Sequence, residues 1–270
     1  MCRCIFCKKN TDRSKSVEHI IPESLGNKAH TLPKGIVCDE CNNYFSIKIE
    51  KPLLELPYFI NLRYRNEIKT KRGRLVPHKA LIVHPKGGWV DMWIDEKGFI
   101  FRPEDSYKIS LIANKQCKSL IIPTIADLKS DNDFISKFLA KAALESLVYS
   151  RLNISGWVDE IINDKELDPI REYARFGKGS RFWKYNQRRI YTEEDRFSDP
   201  INHPEPYEIL HELDFLNLDG ELYYVLVLMG IEYVINIGGN EIANYQKWLI
   251  DNKDVSTIQR FSEYMIERKE

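Results

Sequence analysis

The chain has no apolar run approaching the roughly 20 residues that a bilayer span requires, and its N-terminus has no apolar core of the signal-peptide kind. Both absences point to a soluble protein, expected in the cytoplasm and with no membrane contact. Net charge is absent as well, since 40 Lys and Arg stand against 40 Asp and Glu in 270 residues. A chain whose whole surface is basic and coats a polyanion is thereby excluded. The balance is nevertheless made of two unequal parts: residues 190–270 hold 17 acidic and 6 basic side chains, and residues 1–189 hold 23 acidic and 34 basic ones. Cysteine is nearly absent beyond residue 41, where only Cys117 remains. A disulfide framework spread over a small secreted chain is therefore not encoded. Internal repeats and low-complexity tracts are also missing.

What is present is an ordinary globular composition, 43% hydrophobic and 30% charged, enough for one large domain or two small ones. Residues 1–51 are short, polar and cysteine-rich, with turn-forming clusters at Asn10-Thr11-Asp12 and Leu25-Gly26-Asn27. Residues 52–270 form a larger body. Its first part reads as antiparallel strand at Leu75-Val76, Leu81 to Val83, Trp89 to Ile94, Phe99 to Phe101, Tyr107 to Ile112 and Leu120 to Ile122. From Asp133 to Leu152 the apolar period changes to three and four, which predicts a helix with Asp131 or Asp133 as its N-cap. A weaker helix is expected over Pro169 to Ala174. The acidic end predicts strands at Leu222 to Leu228 and Tyr233 to Ile237, then a helix from Glu241 to Ile250.

Cys4-Ile5-Phe6-Cys7 and Cys38-Asp39-Glu40-Cys41 are two Cys-x-x-Cys knuckles. Four soft thiolates suit the tetrahedral preference of zinc, and a segment too small to cohere by apolar burial gains a staple from it. Cys4, Cys7, Cys38 and Cys41 are therefore the expected structural zinc ligands. Cys2 reads as a spare thiol able to substitute, and Cys117 as a small buried side chain. Between the knuckles lies Glu18-His19-Ile20-Ile21-Pro22, a short apolar strand running into a turn at Leu25-Gly26, and Asn42 follows Cys41 directly.

Taken in order, Cys4-x-x-Cys7, Glu18-His19-Ile20-Ile21-Pro22, Leu25-Gly26 and Cys38-x-x-Cys41-Asn42 resemble an HNH endonuclease of the ββα-metal superfamily, over about the first 50 residues. The fold expected is α+β, with an N-terminal zinc-stapled ββα-metal module and a mixed antiparallel-sheet and helix body. Hydrolysis of a phosphodiester needs a group that deprotonates water, and His19 has the side chain suited to it near neutral pH. Charge growing on the phosphate and the leaving oxygen calls for a hard divalent cation, Mg²⁺ or Mn²⁺. Glu18 and Asn42 are the candidate ligands, and the resemblance implies the same roles. Neighbouring residues of a regular strand face opposite ways, so Glu18 and His19 can share one metal centre only where the strand bends or ends. Asn43 competes with Asn42. The family's middle Asn has no counterpart just before the second knuckle, where Asn27 and His30 are the nearby candidates for its loop-fixing role.

Two basic stretches offer phosphate contacts: Arg63 to Lys79, with Lys71, Arg72 and Arg74 at its centre, and Arg171 to Arg189, where Arg181, Lys184 and Arg188 alternate with aromatics. His78, His84, His203 and His211 read as ordinary surface or core residues. The sequence thus predicts a metal-dependent endonuclease that hydrolyses DNA, with RNA left open as substrate. The resemblance extends to bacterial restriction or phage-defence effectors. The body would position nucleic acid, receive a signalling partner or form an oligomer, and the acidic end would lie away from the substrate or cover the basic surface. The competing class is a non-catalytic zinc-dependent nucleic-acid-binding or regulatory adaptor.

Overall fold

A computed structural model describes residues 2–70, 73, 75–95, 98–102, 106–117, 119–123, 131–179, 182–192, 195, 197–199, 203–207 and 211–261. Two compact units divide the chain: one takes residues 1–22, 27–53 and 129–270, the other residues 23–26 and 54–128. The cysteine-rich segment and the C-terminal half thus belong to one unit, because helices from the latter pack beneath the former.

In the first 53 residues, the Cys4–Cys7 turn is closed by Cys4 N donating to Lys9 O and Lys8 N to Cys4 O, both 2.9 Å. Strand β1 (Glu18–His19) pairs antiparallel with β2 (Thr31–Leu32), placing Glu18 opposite Leu32 and His19 opposite Thr31. Helix α1 (Asp39–Phe45) starts on Cys38, whose sulfur accepts from Cys41 N as an N-cap. It runs on through a π-helical turn at Ser46–Glu50 into the short α2 (Lys51–Leu54). This is the ββα order expected. Phe6 and Phe45, both buried, meet edge to face at 4.5 Å and join the first knuckle to the helix.

The second unit has α3 (Pro57–Arg65), β3 (His78–Ile82), β4 (Gly88–Asp95), β5 (Gly98–Phe101), α4 (Ser106–Ala113) and β6 (Leu120–Ile121). Among the described residues its sheet runs β5-β4-β3-β6, antiparallel throughout. Two expectations are corrected here. Tyr107 to Ile112 is helical: a short apolar run cannot distinguish strand from helix by period, and in α4 Leu111 drops into a cluster with Ala80, Ile82, Val90 and Met92. Leu75-Val76 precedes the sheet, because Pro77 has no N–H to donate and pairing begins at His78. Cys117 is half-buried and packs against the same cluster.

The rest of the first unit holds α5 (Asp133–Tyr149), α6 (Trp157–Asn163), α7 (Asp168–Phe176), β7 (Tyr185–Arg189), β8 (Phe197–Asp199), β9 (His203–Tyr207), β10 (His211–Leu218), β11 (Glu221–Leu228), β12 (Ile231–Asn236), α8 (Ala243–Asp251) and α9 (Thr257–Phe261). The N-cap of α5 is Asn132, whose Oδ1 accepts from Phe134 N at 3.0 Å and Ile135 N at 3.2 Å, rather than either aspartate. Strands β10, β11, β12 and β7 form an antiparallel sheet in that order. Its hairpins turn on Asp219-Gly220 and Met229-Gly230, both residues of each pair at positive φ, which is the type I′ geometry matched to strand twist. Gly230 is also required for space, since an added Cβ would meet Tyr191 O at 2.4 Å. One sheet face packs on α8 through Tyr223, Val225, Val234, Tyr245 and Leu249. The other approaches α5, where Ser146 Oγ donates to the Tyr224 hydroxyl at 3.0 Å. Helix α5 is consequently buried nearly all round, Lys141 and Glu145 included.

Candidate active site and metal centre

The sulfur atoms of Cys4, Cys7, Cys38 and Cys41 all lie within 4.8 Å of one another, the one such His/Cys/Asp/Glu group among the described residues. Cys7 Sγ and Cys38 Sγ are 3.6 Å apart. A zinc tetrahedron with Zn–S near 2.3 Å has edges of about 3.8 Å, so this donor set fits zinc. Main-chain amides turn toward the sulfurs: Cys38 N donates to Cys4 Sγ and Cys41 N to Cys38 Sγ, each at 3.4 Å. The Cys4 thiol is drawn down to about 5, first by its hydrogen bond with Cys41 and then, against opposing desolvation, by the amides of Cys7, Cys38 and Phe6. At that sulfur the thiolate, which is the ligand form, is favoured, whereas burial pushes the Cys7 thiol up to about 11 and the hydrogen bond with Cys4 pushes the Cys41 thiol up.

The arginines of α7 complete this centre. Arg175 Nε donates to Cys41 Sγ at 3.1 Å, its Nη2 reaches Glu40 Oε1 at 3.2 Å, and its guanidinium lies over Tyr44 at 4.2 Å. Arg171, 1% exposed, donates from Nε to Ile5 O at 2.6 Å and from Nη2 to Ile161 O at 2.8 Å, and pairs with Asp168. Both sit in the stretch read as a phosphate-binding groove, and both are instead spent on the knuckles. The structure turns Arg188 inward as well: it donates to buried Glu232 Oε1 at 2.6 Å, to Asp254 O at 2.6 Å and to Gln259 Oε1 at 3.2 Å. Lys184 is exposed and pairs with Glu241 at 2.8 Å. At these two positions the acidic end does cover the basic stretch. Lys71, Arg72, Arg74 and Arg181 lie outside the described residues.

His19 and Glu18 form β1, and Asn42 of α1 meets the chain at its entry. Asn42, in the first turns of α1, donates from Nδ2 to Val17 O at 3.2 Å, tying helix to strand just before Glu18, and nothing among the described residues donates to its Oδ1. His19 is half-buried, and its Nδ1 is enclosed. Glu18 alternates to the other side and is 4% exposed. Its Oε1 is 2.7 Å from Lys141 Nζ, which also meets Glu50 at 2.9 Å, Glu145 at 3.1 Å and the His19 carbonyl oxygen at 2.9 Å. Burial works to lower the Lys141 ammonium, but Glu145, Glu18 and Glu50 outweigh it and hold it well above its ordinary value. Desolvation pushes the Glu145 carboxyl well up, against the opposing pull of the Lys141 ammonium. The expected pairing of Glu18 with a catalytic cation thus meets a carboxylate already held by an ammonium.

Two further residues shape the loop around the histidine. Asn27, 1% exposed, donates from Nδ2 to Ile21 O at 2.7 Å and His30 O at 3.0 Å, and accepts at Oδ1 from Ala29 N at 3.0 Å and His30 N at 2.9 Å. Asn27 rather than His30 therefore clamps the β1–β2 connection. Asn27→Ala takes the partner from Ile21 O and from the Ala29 and His30 amides, while His30 O keeps Ile20 N, and urea unfolding should register a loss of roughly 3 kcal/mol. Asp39 was not singled out from the sequence, although a helix-opening Asp next to a knuckle is a signal for it. Its Oδ1 accepts from Ser16 Oγ at 2.6 Å, Ser16 N at 2.9 Å and Lys15 N at 3.0 Å, pinning the chain that enters β1. These bonds, that of the Ser16 hydroxyl first, lower the Asp39 carboxyl. A lowered folded value means stability present above the unfolded value and lost as pH falls through the folded one. The melting-temperature gap between wild type and Asp39→Ala should be widest near pH 7 and should narrow steadily once pH falls below the unfolded carboxyl's value of about 3.9, as the folded carboxyl takes up its proton.

Two knuckles whose four sulfurs fit zinc, a β1 strand ending on His19 and an asparagine in the first turns of α1 define a ββα-metal type of module. Residues 4–55 match the family model of HNH endonucleases, and this segment is an HNH endonuclease module of the four-cysteine kind. No curated protein and no solved structure matches the chain. No helix among the described residues is long and apolar enough to cross a membrane.

Proposed function

We propose that this protein is a metal-dependent endonuclease that hydrolyses DNA phosphodiester bonds, with His19 as general base. The observation that carries the reading is His19 at the end of a strand whose entry at Val17 is tied to helix α1 by Asn42, inside a four-cysteine segment matching HNH endonucleases. His19 would take a proton from water through Nε2 as the water attacks phosphorus in line. Asn42 Oδ1 is the open oxygen donor for Mg²⁺ or Mn²⁺ at this site. Glu18 would join it only on leaving Lys141. Such a cation supplies charge neutralisation at the phosphate and the departing oxygen. The four cysteines hold the scaffold and take no part in chemistry.

Phosphate contact outside the module is proposed for Lys71, Arg72, Arg74 and Arg181. Lys184 could exchange its exposed pair with Glu241, worth under about 1 kcal/mol, for a phosphate. Arg188 is not included, because leaving Glu232 would strand a buried carboxylate. A bacterial restriction or phage-defence role, a reducing cytoplasmic location that preserves the thiolates, and a partner or second copy bound through residues 52–270 complete the proposal. Its test is cleavage of supercoiled plasmid, single-stranded DNA and RNA by zinc-loaded protein with Mg²⁺, Mn²⁺ or neither. Metal-dependent DNA cutting supports it. Protein that binds DNA and cuts none of these substrates returns the chain to the adaptor class, and cutting of RNA alone changes the substrate.

A further inference from the structure

We propose that Lys141, on α5 of the C-terminal half, is a positioning residue for the nuclease site: its buried ammonium holds β1 at Glu18 and at the His19 carbonyl, so that the imidazole faces the substrate. The inference rests on the endonuclease reading above. Lys141 is 0% exposed, and four oxygens from four residues face its three N–H donors: His19 O at 2.9 Å, Glu18 Oε1 at 2.7 Å, Glu50 Oε1 at 2.9 Å and Glu145 Oε2 at 3.1 Å. Three of these partners come from separate pieces of the fold, namely β1, the π-helical turn before α2, and α5 itself. One cation thereby locks the strand of the base, the end of the metal-site helix and the central helix of the unit.

The lock has a direction. Glu18 and His19 are consecutive in a strand, so whichever side chain turns inward sends the other outward. An ammonium that takes both the Glu18 carboxylate and the His19 carbonyl selects the arrangement with the carboxylate inside. Sliding β1 by one residue would exchange the two and bury the base. It would also remove a partner from a buried ammonium, which is far costlier than losing a surface contact. The π-helical turn brings consecutive Ile49 and Glu50 inward together, Ile49 into the core and Glu50 toward Lys141. Glu18 is accordingly an anchor in this state, and its distance from solvent follows from that use.

The test is Lys141→Met combined with Glu145→Gln, which removes a buried cation and a buried carboxyl together. With one zinc per chain and a wild-type circular dichroism spectrum, this variant should lose roughly 100-fold in kcat on plasmid, the scale expected of a base displaced by about 1 Å. KM should stay within about twofold, because no substrate-contacting group is removed. A folded, zinc-loaded double variant with kcat within about threefold of wild type overturns the proposal. Where the variant does not fold, the decision passes to wild-type protein carrying ¹⁵N-lysine and ¹³C-carbonyl histidine. A Lys141 ammonium that exchanges slowly with water and couples across its hydrogen bond to the His19 carbonyl supports the anchor. A freely exchanging ammonium without that coupling refutes it. If wild-type protein cuts nothing, the nuclease reading fails on its own account, and the same spectra still decide whether the anchor exists.

Discussion

His19→Ala should reduce plasmid cleavage by at least about 100-fold and leave zinc content and thermal stability close to wild type. The size follows from what a positioned general base contributes, about 10²- to 10⁴-fold. Preservation of the fold follows from the geometry. The imidazole is half-buried at the end of a two-residue strand, and the bond that ties this residue into the unit runs from Lys141 to its main-chain oxygen, which alanine retains. Asn42 stays on Val17 O, and the sulfur cluster is untouched. Elemental analysis for zinc and plasmid nicking on the same preparation are sufficient. Undiminished cutting by His19→Ala protein would remove His19 from the chemistry, since no other change to the site would be available to explain it.

Removing zinc should have the second large effect, confined to the N-terminal module. Cys41→Ser, or stripping of the metal by a strong chelator, should abolish cutting in a way that Mg²⁺ does not reverse and added Zn²⁺ does. Structural zinc contributes on the order of 10–16 kcal/mol in small metal-folded domains, comparable with the whole stability of a typical protein. Cys41 is the ligand whose loss should be felt most widely. It sits in α1, its amide donates to the capping sulfur of Cys38, and its own sulfur accepts from Arg175 Nε of α7. With the metal gone, four sulfurs no longer hold Cys38 and Cys4 together, α1 loses its N-cap, and the Asn42 contact with Val17 loosens. The β10–β11–β12 sheet has its own core with α8 and should keep its far-ultraviolet signature. A module that keeps native near-ultraviolet dichroism and cuts at the wild-type rate without zinc would contradict this.

Features carried by local spacing were readable from the sequence. Two Cys-x-x-Cys knuckles, the Glu18-His19-Ile20-Ile21-Pro22 strand and Asn42 after Cys41 retained their relations in three dimensions. A Cys-x-x-Cys turn closes through its own amides, and a residue just past a knuckle falls in the helix that the knuckle caps. The three-and-four pattern of α5 and the apolar runs of β11 and β12 likewise form a helix and two strands close to where the sequence predicts them. Tyr107 to Ile112 was misread because its apolar residues suit either period, and only the sheet beside it makes the choice. Lys141 and Glu145 lie within the apolar pattern of α5, which by itself says nothing of what they face. A Lys and a Glu four apart, flanked on both sides by core residues, is the pattern that could have marked them.

The amino-acid order alone therefore specified the four-cysteine cluster and the order of the N-terminal strands and helix, since each depends on residues a few positions apart or on a motif with fixed spacing. The direction of charged side chains depended on chain segments that meet only in the folded protein. Lys141 finds His19 across 122 residues, Arg175 finds Cys41 across 134, and Arg171 finds Ile5 across 166. A basic residue reads the same in a sequence whether it faces phosphate or a buried carboxylate. Packing decides between them, because a cation is desolvated only where the fold supplies the oxygens that compensate for lost water.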